Sequence, residues 1–225
     1  MMSFFACGDT HQDIDLRKLS SKRFCAKGLT KNDYVLICGD CGAVWDRGGT
    51  DRYLQKWYGD KPWTTLFIDG NHENFDLLES YPISEWNGGS VHFITPALIH
   101  LMRGQIYTID GRKIFTMGGA SSHDKEYRKE GVSWWERELP SEEELETARK
   151  NLILSENCVD YIFTHCAGNR LQDIVAPEKD KNRLTDFLDS LENLSCKEWY
   201  FGHYHKDMKV DEKHIAIFEK VIRLW

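Results

Sequence analysis

A chain of 225 residues is long enough to bury a substantial core without disulfide or metal staples, and it suits one domain over residues 1–225. Its formal net charge of −7 argues against broad nonspecific attraction to nucleic acid or anionic membrane, so no extended nucleic-acid surface and no membrane partner are expected. Seven cysteines, an odd number spread without a disulfide rhythm, suit a reducing cytosol.

The opening Met1-Met2-Ser3-Phe4-Phe5-Ala6-Cys7 has no basic n-region and too short an apolar stretch for a signal peptide. No apolar run is long enough to cross a bilayer, and a cytoplasmic location is expected. Phe4 to Cys7 reads as a strand that delivers Gly8-Asp9-Thr10-His11. Residues 13–26 place Ile14, Leu16, Leu19 and Phe24 at loosely helical spacing, with Gly28 as a stop. After the Lys31-Asn32-Asp33 turn, Tyr34-Val35-Leu36-Ile37 reads as a strand buried on both faces, ending at Gly39-Asp40. Residues 42–49 form a loop carrying Trp45, Asp46 and Arg47, residues 50–58 a helix, and residues 64–68 a third strand that leads into Gly70-Asn71-His72-Glu73.

A short helix is expected at 74–80 and a loop at 82–90, followed by an antiparallel meander at 91–95, 97–102, 105–109 and 113–117. Asp110-Gly111 supplies a hairpin turn in it. The long glycine-punctuated segment 118–140 holds Ser121, Ser122, His123, Asp124, Arg128, Trp134 and Trp135, and segments of this kind often serve as lids. Ser141-Glu142-Glu143-Glu144 is a capping box opening a helix to about residue 154. A strand at 161–164 then meets His165, a loop carries Pro177, and a helix occupies 182–191. The run Trp199-Tyr200-Phe201 delivers Gly202-His203-Tyr204-His205, and strands at 215–218 and 221–224 close the chain.

Apolar runs thus repeatedly deliver Asp, His or Asn to a loop just past a strand end, where open α/β sheets bind ligands. Taken singly, Gly-Asp is usually a turn, and His-x-His is usually surface or core histidine. Their recurrence behind buried strands points instead to one shared metal site. Carboxylate, imidazole and amide together suit borderline ions such as Mn, Fe, Zn, Co or Ni. Cys38 and Cys41 have CxxC spacing, but no second pair completes a zinc ribbon, and Gly42 fits a thioredoxin-like helix poorly. Cys7, Cys38, Cys41 and Cys166 read as small packing residues.

In order, Gly-Asp-x-His, Gly-Asp, Gly-Asn-His-Glu, a single His after a strand and Gly-His-x-His resemble the signature of the calcineurin-like metallophosphoesterase superfamily. The motifs run over residues 8–205. The resemblance implies an α/β fold, a four-layer α/β/β/α sandwich with two mixed β-sheets, and a dinuclear centre binding two divalent transition-metal ions, manganese foremost. Carried over by position, one ion is held by Asp9, His11, Asp40 and His205. The other is held by Asp40, Asn71, His165 and His203, with Asp40 as the bridge. His72 faces the leaving-group oxygen as general acid or transition-state stabiliser. The implied reaction is in-line attack of a metal-bridging hydroxide on a phosphoester substrate.

The phosphoprotein-phosphatase branch has Gly-Asp-x-x-Asp-Arg-Gly, whose second Asp supports the catalytic His. Ala43 stands there, and Asp46-Arg47-Gly48 comes three residues late. A phosphomonoester or phosphodiester of small-molecule or nucleotide type is therefore preferred to a phosphoprotein. Arg47 and Arg128 are the candidate phosphate binders. Trp134 and Trp135 are candidates for nucleobase stacking or plain packing, and His123 and Asp124 for support of the metal ligands. An interaction scaffold on the same fold is the rival reading, and such proteins lose ligands that are all present here. A structural zinc protein would leave His72 unexplained.

Overall fold

The computed structural model describes residues 2–177 and 181–225. The first half of the chain supplies β1 (Phe4–Cys7), β2 (Tyr34–Ile37), helix α1 (Gly49–Gly59), β3 (Thr64–Phe67), the short α2 (Phe75–Leu78), β4 (Ile83–Trp86), β5 (Gly89–Thr95) and β6 (Leu98–Leu101). The second half supplies β7 (Gln105–Ile109), β8 (Arg112–Met117), α3 (Glu142–Leu154), β9 (Tyr161–Thr164), α4 (Asn169–Val175), α5 (Arg183–Ser190), β10 (Glu198–Phe201), β11 (Met208–Lys209), β12 (His214–Ala216) and β13 (Val221–Arg223).

These strands make a 7-stranded sheet in the order β13-β1-β2-β3-β6-β5-β4 and a 6-stranded sheet in the order β11-β12-β10-β9-β8-β7. Both are mixed. The runs β1-β2-β3-β6 and β12-β10-β9-β8 are parallel, and antiparallel strands flank each. Alternation along each strand sorts its side chains between two faces. Leu36 of β2 packs between the sheets with Phe4, Leu66, Ile114 and Phe163. Its neighbours Val35 and Ile37 face Leu54 and Tyr58 of α1. On the other sheet, Phe115 and Ile162 turn outward against Leu145 of α3, Leu171 of α4 and Phe187 of α5. Three apolar layers separated by two sheets make the α/β/β/α sandwich.

Several local expectations need correction. Residues 13–26 hold a single 3₁₀ turn, Leu16–Leu19, instead of a helix. The buried Lys18 ammonium donates to the Asp9 and Phe218 carbonyls, each at 2.6 Å, which pulls the segment inward, and Ser20 is extended. The loop at 82–90 contains β4, paired with β5 across Asn87 and Gly88, both at positive φ as a tight hairpin turn requires. The meander is divided. β5 and β6 belong to one sheet and β7 and β8 to the other, with the crossing at Met102–Gly104. α4 precedes Pro177, and the rest of that expected loop lies partly outside the described residues. The helix capped by Ser141 forms as expected, with Ser141 Oγ accepting from Glu144 N and Glu144 Oε2 accepting from Ser141 N.

Candidate metal centre

β1, β2 and β3 of one sheet and β9 and β10 of the other all run into loops at one end of the sandwich. Those loops carry Asp9 and His11, Asp40, Asn71 and His72, His165, and His203 and His205, respectively. His11, Asp40, His203 and His205 sit at φ of 43°, 49°, 65° and 50°. Non-glycine residues in that region cost about 1–3 kcal/mol each and persist only where their surroundings hold them. Glycines let the loops close in. A Cβ on Gly70 would lie 2.0 Å from Asp40 Oδ1, and one on Gly39 would lie 1.9 Å from His165 Nδ1.

Asp9, Asp40 and His165 are buried. Two groups of side chains each place one ligand atom apiece within 4.8 Å of one another, Asp9 with His11 and His205, and Asp9 with Asp40 and His165. Asp40 Oδ2 stands 3.3 Å from His11 Nε2 and 3.5 Å from His165 Nε2. Asp9 Oδ2 stands 3.3 Å from His205 Nε2. Asn71 Oδ1 is 3.1 Å from His165 Nε2. His203 enters through its backbone N–H, which donates to both Asp9 oxygens, while its ring lies against that of His165 at 5.0 Å between centroids. Neither three-residue group includes the His203 ring.

The supporting contacts fit a metal centre. His165 Nδ1 faces the Cys38 carbonyl at 2.7 Å, and His11 Nδ1 faces Asp15 Oδ2 at 2.8 Å. In each case a donated Nδ1–H leaves the inward Nε2 lone pair for an ion, the usual way a second partner sets a ligating imidazole. Asn71 Nδ2 donates to Ser122 Oγ at 3.0 Å, and Ser122 Oγ donates to the buried Glu138 at 2.9 Å. That chain turns the Asn71 carbonyl oxygen toward His165.

Burial works against ionisation of Asp40, but the imidazoles of His165, His11 and His72 outweigh it and hold its carboxyl well below the usual range. Burial would likewise lower His165, yet Asp40 and Asp9 push it up to about 10. Carboxylates this buried, answered by imidazoles, are the environment a divalent cation satisfies. Burial pushes the Cys7 and Cys166 thiols up to about 12 and raises Cys38 and Cys41 as well. The thiols are therefore neutral packing groups.

Beside this cluster, His72 donates its backbone N–H to Asp40 Oδ1 at 2.7 Å, and its ring centroid lies 5.9 Å from that of His11. Burial lowers the pKa of His72, with Asp40 opposing and Arg128 reinforcing the shift. The two candidate phosphate-binding arginines are placed differently. Arg47 is exposed and donates to Ser80 Oγ at 2.8 Å, while Asp51 Oδ2 accepts the backbone N–H groups of Trp45, Asp46 and Arg47. Asp46 closes its own turn on Gly48 N, and among the described residues no hydrogen bond or ion pair is seen between either Asp46 or Arg47 and His72. Arg128 instead reaches His72 itself, Nη1 to Nδ1 at 3.0 Å. Asp124 pairs with Arg128. Trp135 is buried edge-on to Trp45 and donates to Asp76, so it packs, and Lys125 sits over the Trp134 ring.

Asp15, Lys18, Ser122 and Glu138 were not marked out by any motif. Asp15 alone carries a local signal, four residues after His11. Glu73 also matters. It is buried, accepts from Cys41 N at 2.8 Å, and burial together with Asp40 raises its carboxyl well above the usual range.

The family model described as calcineurin-like phosphoesterase matches residues 2–207, and the chain belongs to that family. It is also similar to lariat debranching enzyme A of Xenopus laevis, with 35% identity over 118 residues. That match covers 46% of this chain and 20% of the length of the Xenopus protein.

Proposed function

We propose that the chain is a metal-dependent phosphoric ester hydrolase acting on a phosphomonoester or phosphodiester of small-molecule or nucleotide type. The observation that carries this reading is the position of Asp40 Oδ2, within 3.5 Å of an imidazole nitrogen from each proposed ligand set. One divalent transition-metal ion is assigned to Asp9, His11, Asp40 and His205, and a second to Asp40, Asn71, His165 and His203, with manganese the first choice. Bound there, such ions would supply Lewis acidity at the phosphoryl oxygens and a nucleophile from water at neutral pH.

The chain's own groups do the remainder. Asp40 draws the two ligand sets together and, through Oδ1, fixes the backbone of His72. His72 borders the cluster and offers a ring N–H to an oxygen of the reacting ester. A cavity of about 280 Å³ opens beside it, lined by His11, Gln12, Ile14, Gly42, Trp45 and His72. Its size suits the group attached to phosphorus in a small ester or nucleotide. Seven free cysteines support a reducing, cytoplasmic setting.

A substrate panel with the manganese-loaded chain tests the reading: p-nitrophenyl phosphate, bis(p-nitrophenyl) phosphate, nucleotides, cyclic nucleotides and phosphopeptides. The similarity to a lariat debranching enzyme adds a lariat to the panel. Turnover of the small esters or nucleotides is expected. Turnover of phosphopeptides alone would move the chain to the phosphoprotein class, and metal-loaded protein inert on the whole panel would favour an interaction scaffold.

A further inference from the structure

The segment at 118–140 reaches both members of the Asn71-His72 pair. Ser122 holds the Asn71 amide, and six residues later Arg128 meets the His72 ring. We propose that Arg128 is a positioning residue that fixes the ring orientation and the tautomer of His72, so that Nε2–H is the hydrogen presented to the ester. Only the identity of the group receiving that hydrogen bond rests on the phosphoesterase reading.

Donor and acceptor roles in this contact are fixed by the guanidinium. Arg128 Nη1 lies 3.0 Å from His72 Nδ1. A guanidinium has N–H donors and no acceptor, and it does not deprotonate in proteins. In this contact Arg128 therefore donates and Nδ1 accepts, so the ring's own N–H sits on Nε2. A carboxylate in the same place would select the opposite tautomer, because it would accept from Nδ1–H.

The guanidinium is itself held. Nη2 pairs with Asp124 Oδ2 at 2.8 Å, and Nη1 also donates to the Ser133 carbonyl at 3.2 Å. With the His72 backbone tied to Asp40 Oδ1, both ends of the residue are fixed. An arginine so committed differs from one waiting to grip phosphate. That distinction gives the proposal its kinetic signature. Loss of a positioning contact lowers kcat, whereas loss of a phosphate grip raises KM.

The test uses the full chain labelled with ¹⁵N-histidine and loaded with zinc, which is diamagnetic. His72 is assigned by its missing signals in His72→Ala, and long-range ¹H–¹⁵N correlations read its tautomer. The wild-type chain is expected to show Nε2–H. Arg128→Ala is expected to populate both tautomers, with kcat for p-nitrophenyl phosphate down about 10–100-fold, the range that losing the partner of a metal-ligating histidine typically gives. KM and metal content should hold. Arg128→Lys keeps a donor and guards against an unfolded alanine variant. It should retain the Nε2–H signal, and guanidinium ion should restore part of the Arg128→Ala rate.

An Nδ1–H tautomer in the wild type, or an unchanged tautomer in Arg128→Ala, would overturn the proposal. A rise in KM alone would return Arg128 to phosphate binding. Because the tautomer is read without turnover, a chain inert on the whole substrate panel but showing the expected spectrum would uphold the positioning contact and overturn the phosphoesterase reading.

Discussion

Asp40 and His72 are joined by a 2.7 Å hydrogen bond, backbone N–H of His72 to Oδ1 of Asp40, while the other Asp40 oxygen faces His11 and His165. One carboxylate thus organises both proposed ligand sets and the histidine beside them.

Asp40→Ala should accordingly abolish binding of both ions, whereas His11→Ala should mainly weaken one. Calorimetric titration of the metal-stripped variants with manganese checks the contrast. His11→Ala is expected to keep one tight site, and Asp40→Ala none. Indistinguishable losses would contradict the bridging role.

Ser122→Ala removes the hydroxyl that accepts from Asn71 Nδ2 and leaves the amide able to turn over. Metal affinity at the Asn71 site should fall about 10–100-fold. The melting temperature should change little by comparison, because a single hydrogen bond is worth about 0.5–1.5 kcal/mol. Unchanged metal affinity in a folded Ser122→Ala chain would show that Asn71 needs no such anchor.

His72→Ala should retain both ions and lose about 10²–10³ in kcat, the typical cost of one donor to developing negative charge. If Arg128 holds the ring as an Nε2–H donor that keeps its proton, the loss should be similar for an alkyl phosphate and for p-nitrophenyl phosphate. A much larger loss on the alkyl ester, whose leaving oxygen is the stronger base, would show that His72 transfers a proton instead.

Behind the centre, Asp69 is buried against Arg103, at 2.6 Å to Nη2 and 2.8 Å to Nε, and against His100 at 3.2 Å. Burial opposes its ionisation, but Arg103 and His100 overcome that and lower its pKa below the ordinary 3.8. Between the two values the unfolded chain binds the proton that the folded chain excludes. The stability from this depression is therefore fully present above pH 3.8 and is lost as pH falls toward the lowered value. Asp69→Asn should cost about 3–5 kcal/mol near neutral pH by stranding the buried Arg103, and the cost should shrink in acid. Denaturant unfolding of both chains across that range checks it. A pH-independent difference would refute the account.

The centre was more legible in the sequence than its supports. Buried strands ending in Gly-Asp, Gly-Asn-His or Gly-His-x-His are written locally, because a strand's burial shows as a short apolar run and its loop follows at once. The β4–β5 hairpin is also written, in Asn87-Gly88, but its polar surroundings read as a loop. Which sheet a strand joins is not local information, so β7 and β8 could not be separated from β5 and β6 by pattern alone. Arg128 shows the same limit for a side chain. Its contact with His72 joins residues 56 apart in the chain, and no local pattern announces it.

The most direct test of the central claim is a manganese titration of the chelator-stripped chain, following bound ions by native mass spectrometry and hydrolysis of p-nitrophenyl phosphate in the same samples. Two ions per chain are expected, with turnover appearing as the second site fills. Saturation at one ion or none, or turnover that persists without metal, would contradict a dinuclear phosphoesterase built on Asp40.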